Sequence, residues 1–313
     1  GDPGGLRMLT PIEFLQDLAN PLLVFLPKAL LVAVLCSVVA GVIGAHVVLR
    51  GMAFIGDAVA HSVFPGLAVA FLLQGSLVVG GLVAGLATAV LVALLSQNRR
   101  LKEDSVIGIL FAGAFALGIV VISRAPGYAG SLQQFLFGSI TGISDGDVMV
   151  VAVASVAVVL ALLLLHKELV AVSLDRESAQ AARLPVLGLD LLLYVLVTVV
   201  VVISVQVIGN VLVLALLVTP ASTARLLTDR LVTMMVLAPV IGGASAVLGL
   251  YLSWSVDLPA GGTIVLVATS FFAAAWLLAP RHGAVARWRQ TSAAATRRAS
   301  SASVDQGTAQ TTA

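Results

Sequence analysis

Two ionisable side chains stand four residues apart in Gly56-Asp57-Ala58-Val59-Ala60-His61-Ser62-Val63-Phe64-Pro65-Gly66. On a helix, that spacing puts a carboxylate and an imidazole on one face, one turn apart. A carboxylate oxygen beside an imidazole nitrogen suits a divalent transition metal of borderline hardness. The same pair could relay protons, or join two helices as a structural ion pair. Spacing alone leaves all three open. Pro65 has no N–H and clashes with the carbonyl four residues back, that of His61. Gly56 and Gly66 remove side-chain bulk at both ends. The pattern predicts a broken helix of the kind that opens backbone and ligands to a cavity inside a membrane.

The elements that must hold this pair are membrane helices. The chain has 313 residues, 60% hydrophobic and 10% charged, with a mean hydropathy of +1.12. A soluble domain is about 45–50% apolar and about 25% charged. Such a chain cannot supply the polar surface of a water-soluble globule. The composition argues against a soluble enzyme, a nucleic-acid binder and a disordered chain. It predicts an all-α polytopic membrane protein, because in lipid each backbone polar group must be satisfied within its own segment. The 29 glycines fit close helix–helix approach. Cys36 is the only cysteine, which excludes an intrachain disulfide and a thiolate zinc cluster.

Apolar stretches long enough to span a bilayer occur near 23–49, 77–97, 105–123, 147–166, 190–208, 231–252 and 261–280. Two more, near 52–73 and 211–227, are interrupted by Pro, Gly or polar residues. The expectation is eight to nine transmembrane helices within a membrane domain at 21–280. Residues 1–20 are too polar to span, and Ile12, Phe14, Leu15 and Leu18 could form one face of a short interfacial helix. Residues 281–313 are rich in Ser, Thr, Ala and Arg without apolar periodicity, and are expected to be a disordered tail.

Lys and Arg mark cytoplasmic loops. With Arg99, Arg100 and Lys102 inside, alternation puts Arg50, the 167–189 loop, residues 225–230 and the C-terminus inside too. Only three of the 17 basic residues, Arg7, Lys28 and Arg124, then lie outside. Most charges sit at span ends, where water is available. An Asp at a helix centre costs at least ~2.5–3.5 kcal/mol to insert. Counted from Arg50 at 1.5 Å per residue, Asp57 and His61 lie roughly 10 and 16 Å deep. That places them near the bilayer middle.

Other features carry weaker signals. In Val218-Thr219-Pro220-Ala221-Ser222-Thr223, hydroxyls can return hydrogen bonds to a backbone loosened by Pro220. The segment reads either as a hinge beside the pathway, with Thr219, Pro220 and Ser222 at the gate, or as an ordinary Pro kink. Asp257 lies at the outer end of two spans, where it could guide cations into a mouth or simply cap a turn. Glu103-Asp104-Ser105 fits a helix start. His46, His166 and His282 read as interfacial side chains rather than ligands. The 167–188 loop contains Asp175-Arg176-Glu177-Ser178-Ala179-Gln180-Ala181-Ala182-Arg183. This is helix-forming and doubly charged, with Pro185 and Gly188 expected to end it. It could dock a soluble partner or merely connect spans. No P-loop, H-E-x-x-H or G-x-S-x-G is present, so ATP binding through a P-loop and the corresponding protease and hydrolase chemistries are not expected.

Taken together, these motifs resemble the permease subunits of bacterial manganese, zinc and iron ABC importers, the ABC-3 metal permease family. The strongest stretch, 49–66, is similar to the family's LRGM…GDAxxHxVxPG. Glu103-Asp104-Ser105-Val106-Ile107-Gly108, Leu136-Phe137-Gly138-Ser139, the 214–224 segment and Leu258-Pro259-Ala260-Gly261-Gly262-Thr263 follow in the family's order. Ser139 stands where Asn is usual, and Ser222 where Ala is usual. The resemblance implies a type II-like importer in the bacterial cell membrane. It would comprise two permease protomers as a homodimer, two cytoplasmic ATPases that use ATP, and an extracytoplasmic cluster A-I metal-binding protein. No enzyme activity, bound cofactor or nucleic-acid partner is implied for this chain. It further implies Asp57 and His61 as metal-pathway ligands, Pro65 and Gly66 as part of the gating hinge, and Asp175, Arg176, Glu177, Ala182 and Arg183 as the element coupling to the ATPase. Pro65 favours manganese as cargo, with zinc or iron as alternatives. An ion-coupled carrier using the pair as a proton relay is the competing expectation.

Overall fold

The computed structural model describes residues 9–52, 55–97, 103–123 and 143–279, except the side chains at 57, 103, 206, 207, 210 and 211. Among the described residues every regular element is helical. The loop at 99–102, the Leu136–Ser139 motif, Arg7, Arg124 and the tail with His282 lie outside them.

In chain order the helices are α1 (Pro11–Leu18), α2 (Phe25–Leu49), α3 (Ile55–Ser62), α4 (Phe64–Leu72), α5 (Leu77–Leu95), α6 (Glu103–Ile122) and α7 (Asp145–Leu164). They continue with α8 (His166–Leu174), α9 (Arg176–Ala181), α10 (Val186–Ile208), α11 (Asn210–Leu227), α12 (Leu231–Val256) and α13 (Ala260–Leu278). Seven of these are long and apolar enough to cross a membrane, and two shorter apolar helices cover 58–72 and 212–227. Together they account for the nine stretches expected from the sequence. The longest runs, such as α2 and α12, are apolar all round, which is what lipid or bundle burial requires.

Local chemistry sets the ends. Ser144 and Asp147 form a reciprocal capping box at the start of α7, satisfying two amides that would otherwise have no partner. Ser76 caps α5. Thr10 and Glu13 form a second capping box, with Pro11 at the first position of α1. The four apolar residues of α1 do not share one buried face. Phe14 is buried against Leu26 and Leu250 with Leu18 packed beside it, whereas Ile12 and Leu15 are 68% and 64% exposed. The cause is a tether: Trp254 Nε1 donates to Asp17 at 2.8 Å, and the Tyr251 hydroxyl donates to the Leu9 carbonyl. These bonds roll Phe14 onto α12 and leave Ile12 outward.

α2 is central. It packs against α12, α11, α7 and α10, while α3 is packed by α6, α10 and α11. Side chains are small where backbones meet. A Cβ on Gly41 would stand 2.6 Å from the Pro239 nitrogen, and one on Gly66 would overlap the Gly80 carbonyl oxygen. Small residues thus bring α2 onto α12 and α4 onto α5.

Candidate functional site

α2 ends at Arg50, and Gly51 turns the chain with φ +73°. The next described helix begins at Ile55. The depth count from Arg50 assumed one unbroken helix, and the turn at Gly51 breaks that helix, so the count is too large. Asp57 falls in the first turn of α3 and His61 in its last. A carboxylate in the first turn of a helix is favoured by the amide dipoles there. His61 is half-buried and lies edge-on to two rings of α6, Phe111 at 5.0 Å and Phe115 at 4.8 Å between centroids.

The interruption after His61 is a kink, not an unwound stretch. Val63 has φ −68° and ψ −27° and stays helical. Its amide donates to Val59 at 3.0 Å, and its carbonyl accepts from Leu67 at 3.1 Å. Pro65 falls in the first turn of α4, and with no N–H it cannot supply the donor that the His61 carbonyl would take four residues on. The break expected at Pro65 is thus a kink with the chain helical on both sides. Glycines fit the neighbours to the kink. A Cβ on Gly118 of α6 would stand 2.5 Å from Phe64 Cδ1 and 3.0 Å from the Pro65 nitrogen, and one on Gly56 would overlap Leu217 of α11.

Leu217 lies one turn before Pro220, so the Pro-containing helix touches the helix that carries the pair. Pro220 is buried within α11, and Thr219 and Ser222 are half-buried. The Thr223 hydroxyl donates to the Thr219 carbonyl at 2.7 Å. Asp257 is exposed and takes the left-handed conformation, φ 55° and ψ 48°, at the end of α12. Among the described residues no group of three or more His, Cys, Asp or Glu side chains could hold a metal ion.

At the other end of the molecule the 166–185 segment forms two helices. Asp175 caps α9, accepting from the Ser178 hydroxyl at 2.5 Å and from the Glu177 and Ser178 amides at 3.0 and 3.1 Å. The Ser178 hydroxyl and amide hold its carboxyl below the usual carboxylate range. Pro185 and Gly188 do not end this helix. Arg183 ends it in the left-handed region, φ 59°, with the Leu184 amide on the Ala179 carbonyl at 3.0 Å, and Pro185 instead starts α10. Arg176, Glu177, Ala182 and Arg183 are exposed. Beside them a cleft of about 470 Å³ is lined by Gln97, Arg176, Glu177, Gln180 and Leu187.

Two features of this end were not expected from the sequence. Asp190 is buried, not solvated, with a side chain 3% exposed between Arg50 and Arg176. His46 is fully buried and lies edge-on to His166 at 5.7 Å. α8 lies beside the end of α2, with His166 against His46 and Ser173 bonded to Arg50.

The sequence pattern of the ABC 3 transport family matches residues 23–279. The chain belongs to this family. The manganese transport system membrane protein MntC of Halalkalibacterium halodurans is 40% identical over 266 residues, covering 85% of this chain and 91% of that one. The chelated iron transport system membrane protein YfeC of Yersinia pestis is 36% identical over 262 residues, covering 84% and 89%. Among solved structures, PsaBC from Streptococcus pneumoniae in complex with Fab superposes with a TM-score of 0.77 at 36% identity, covering 87% of this chain and 98% of that one. An inward-facing metal-chelate type ABC transporter shares the fold, with a TM-score of 0.65 at 20% identity. Like other ABC-3 chains, this is a multi-pass permease of a metal ABC importer and not an enzyme.

Proposed function

We propose that this permease carries manganese into the cytoplasm, taking it from an extracytoplasmic binding protein and using ATP hydrolysed by separate cytoplasmic subunits. Asp57 and His61 hold the ion in transit, and a second, identical protomer supplies the facing pair. The observation that carries this is the placement of α3. The helix bearing the pair is an eight-residue segment packed by α6, α10 and α11, with His61 against the Phe111 and Phe115 rings of α6. A site of few ligands suits a cargo that must leave as well as bind. Manganese is favoured by relatives named for it, MntC of Halalkalibacterium halodurans and ScaB of Streptococcus gordonii. The name of YfeC makes iron the second candidate, and zinc is third.

The end bearing Arg50 and α9 faces the cytoplasm, since Lys and Arg concentrate in its loops. There Leu174 and Leu187 are exposed among charged neighbours, a surface suited to an ATPase. Asp257 lies at the outer mouth, and Pro65, Gly66, Thr219, Pro220 and Ser222 serve the gate. The test is uptake of manganese, iron and zinc by the assembled complex in proteoliposomes. Asp57→Ala and His61→Ala should each abolish uptake while the complex still assembles. Wild-type uptake by both variants would remove the site assignment. Uptake without an ATPase would support the ion-coupled carrier instead.

A further inference from the structure

The buried ions at the cytoplasmic end join two functional elements that lie far apart in sequence. Arg50 terminates α2. It donates from Nη1 to Asp190 Oδ1 at 2.6 Å and from Nε to the Ser173 hydroxyl of α8 at 2.8 Å. Arg176, the first residue of α9, donates from Nη2 to the other oxygen, Asp190 Oδ2. Asp190 is thus shared between two guanidinium groups, with side-chain exposures of 3% for Asp190 and 7% for Arg50. Ser173 is fixed in turn by donating to the Leu169 carbonyl at 2.5 Å.

We infer that Asp190 is a positioning residue that transmits movement of the α8–α9 element to the helix carrying Asp57 and His61. Arg176 brings the displacement to one carboxylate oxygen, and Arg50 takes it from the other. Among the described residues between Arg50 and α3 the chain turns at Gly51. A Cβ there would meet nothing within 4 Å, so the turn has room to change. The geometry is suited to the task because a buried, charge-assisted contact holds its geometry far better than an exposed one. A carboxylate with both oxygens engaged also cannot follow one arginine without drawing the other. The inference rests on the proposed transport role of α3 and α9.

The experiment compares manganese uptake with ATP hydrolysis in the assembled complex in proteoliposomes, for wild type, Asp190→Asn, Arg176→Gln and Arg176→Lys. Asp190→Asn should hydrolyse ATP within about two-fold of wild type, while the ions moved per ATP fall at least about ten-fold. Arg176 is 43% exposed, so Arg176→Gln removes the α9 arm without leaving a buried charge. Arg176 also belongs to the ATPase-facing element, so its hydrolysis rate is free to change; the ions moved per ATP should still fall as in Asp190→Asn, and Arg176→Lys should restore most of that ratio. A wild-type ratio in Arg176→Gln overturns the inference and leaves the transport role intact. A parallel fall in hydrolysis and uptake, with no rescue by Lys, overturns it too, because it marks the network as structural only. If the wild-type complex moves no manganese, the underlying transport role fails instead.

Discussion

Two glycines five residues apart on α6 should respond in opposite ways to the same methyl group. At Gly118 a Cβ would meet Phe64 Cδ1 at 2.5 Å and the Pro65 nitrogen at 3.0 Å. Ordinary contact between such atoms begins near 3.5 Å, and a gap of 0.5–1 Å already forfeits a quarter to a half of each dispersion contact. Phe64 is 2% exposed and has no space to swing aside, and the Pro65 backbone sits at the kink. Gly118→Ala must therefore push α6 off α4 by roughly 1 Å. The cost should be about 1–3 kcal/mol, the usual range for overpacking. At Gly113 a Cβ meets nothing within 4 Å, and exchanging Gly for Ala inside a helix gains about 0.5–1 kcal/mol. Melting of the purified permease, followed by intrinsic fluorescence, checks both. At about 2–4 °C per kcal/mol, Gly118→Ala should melt several degrees lower and Gly113→Ala no lower than wild type. Because α6 carries Phe111 and Phe115, Gly118→Ala should also slow uptake. A Gly118→Ala variant that melts with wild type, or a Gly113→Ala variant that loses as much, would refute the packing argument.

Three further outcomes follow from the same geometry. Asp190→Ala leaves Arg50 buried without its counter-charge and should cost about 3–5 kcal/mol. By contrast Lys28→Ala, in a pair whose Asp145 is 90% exposed, should cost under about 1 kcal/mol; chemical denaturation compares the two. The Asp175 carboxyl is held below its ordinary range by Ser178, so its cap stabilises α9 fully above the ordinary carboxylate pKa. That contribution is lost as pH falls through the depressed value, and amide exchange of residues 177–179 should quicken there in wild type but not in Asp175→Asn. Gly51 has φ +73° with open space around it, so Gly51→Ala meets no clash and should cost about 1–2 kcal/mol through backbone strain alone. Gly51→Asn should recover part of that loss in the same melting assay.

The spans were legible because lipid demands long apolar helices, and no packing detail overrides that. The Asp57–His61 pair was legible because it interrupts such a run. What escaped was whatever depends on distant residues meeting. Asp190 stands at the start of a span and reads as a solvated end group, yet Arg50 and Arg176 bury it. The meeting of His166 with the buried His46 has no local signature either. Other features carried a local signal beyond apolar spacing. Thr10-Pro11-x-Glu13 has the spacing of a capping box with Pro at the first helical position, and it marks α1. The turn at Gly51 was written as Arg-Gly-Met at the end of an apolar run, and counting through it misplaced the depth of the pair.

How polar groups are satisfied separates the roles they can play in this bundle. The hydroxyls of Ser37, Thr198, Thr223 and Ser245 donate to carbonyls four residues back in their own helices, at 2.6, 2.8, 2.7 and 2.7 Å. They are content wherever their helix goes and fix no neighbour. Asp190 is the opposite case, since its two partners come from other elements and it ties those elements together. α3 is also packed closely by shape, through Gly56 against Leu217 and the Phe111 and Phe115 rings against His61. Shape contacts have little directional preference, so they yield to a shift at lower cost than buried ions do. That combination, a pinned end at Arg50 and a segment packed by shape beyond Gly51, is what a helix must have if it is to present ligands in one state and withdraw them in another.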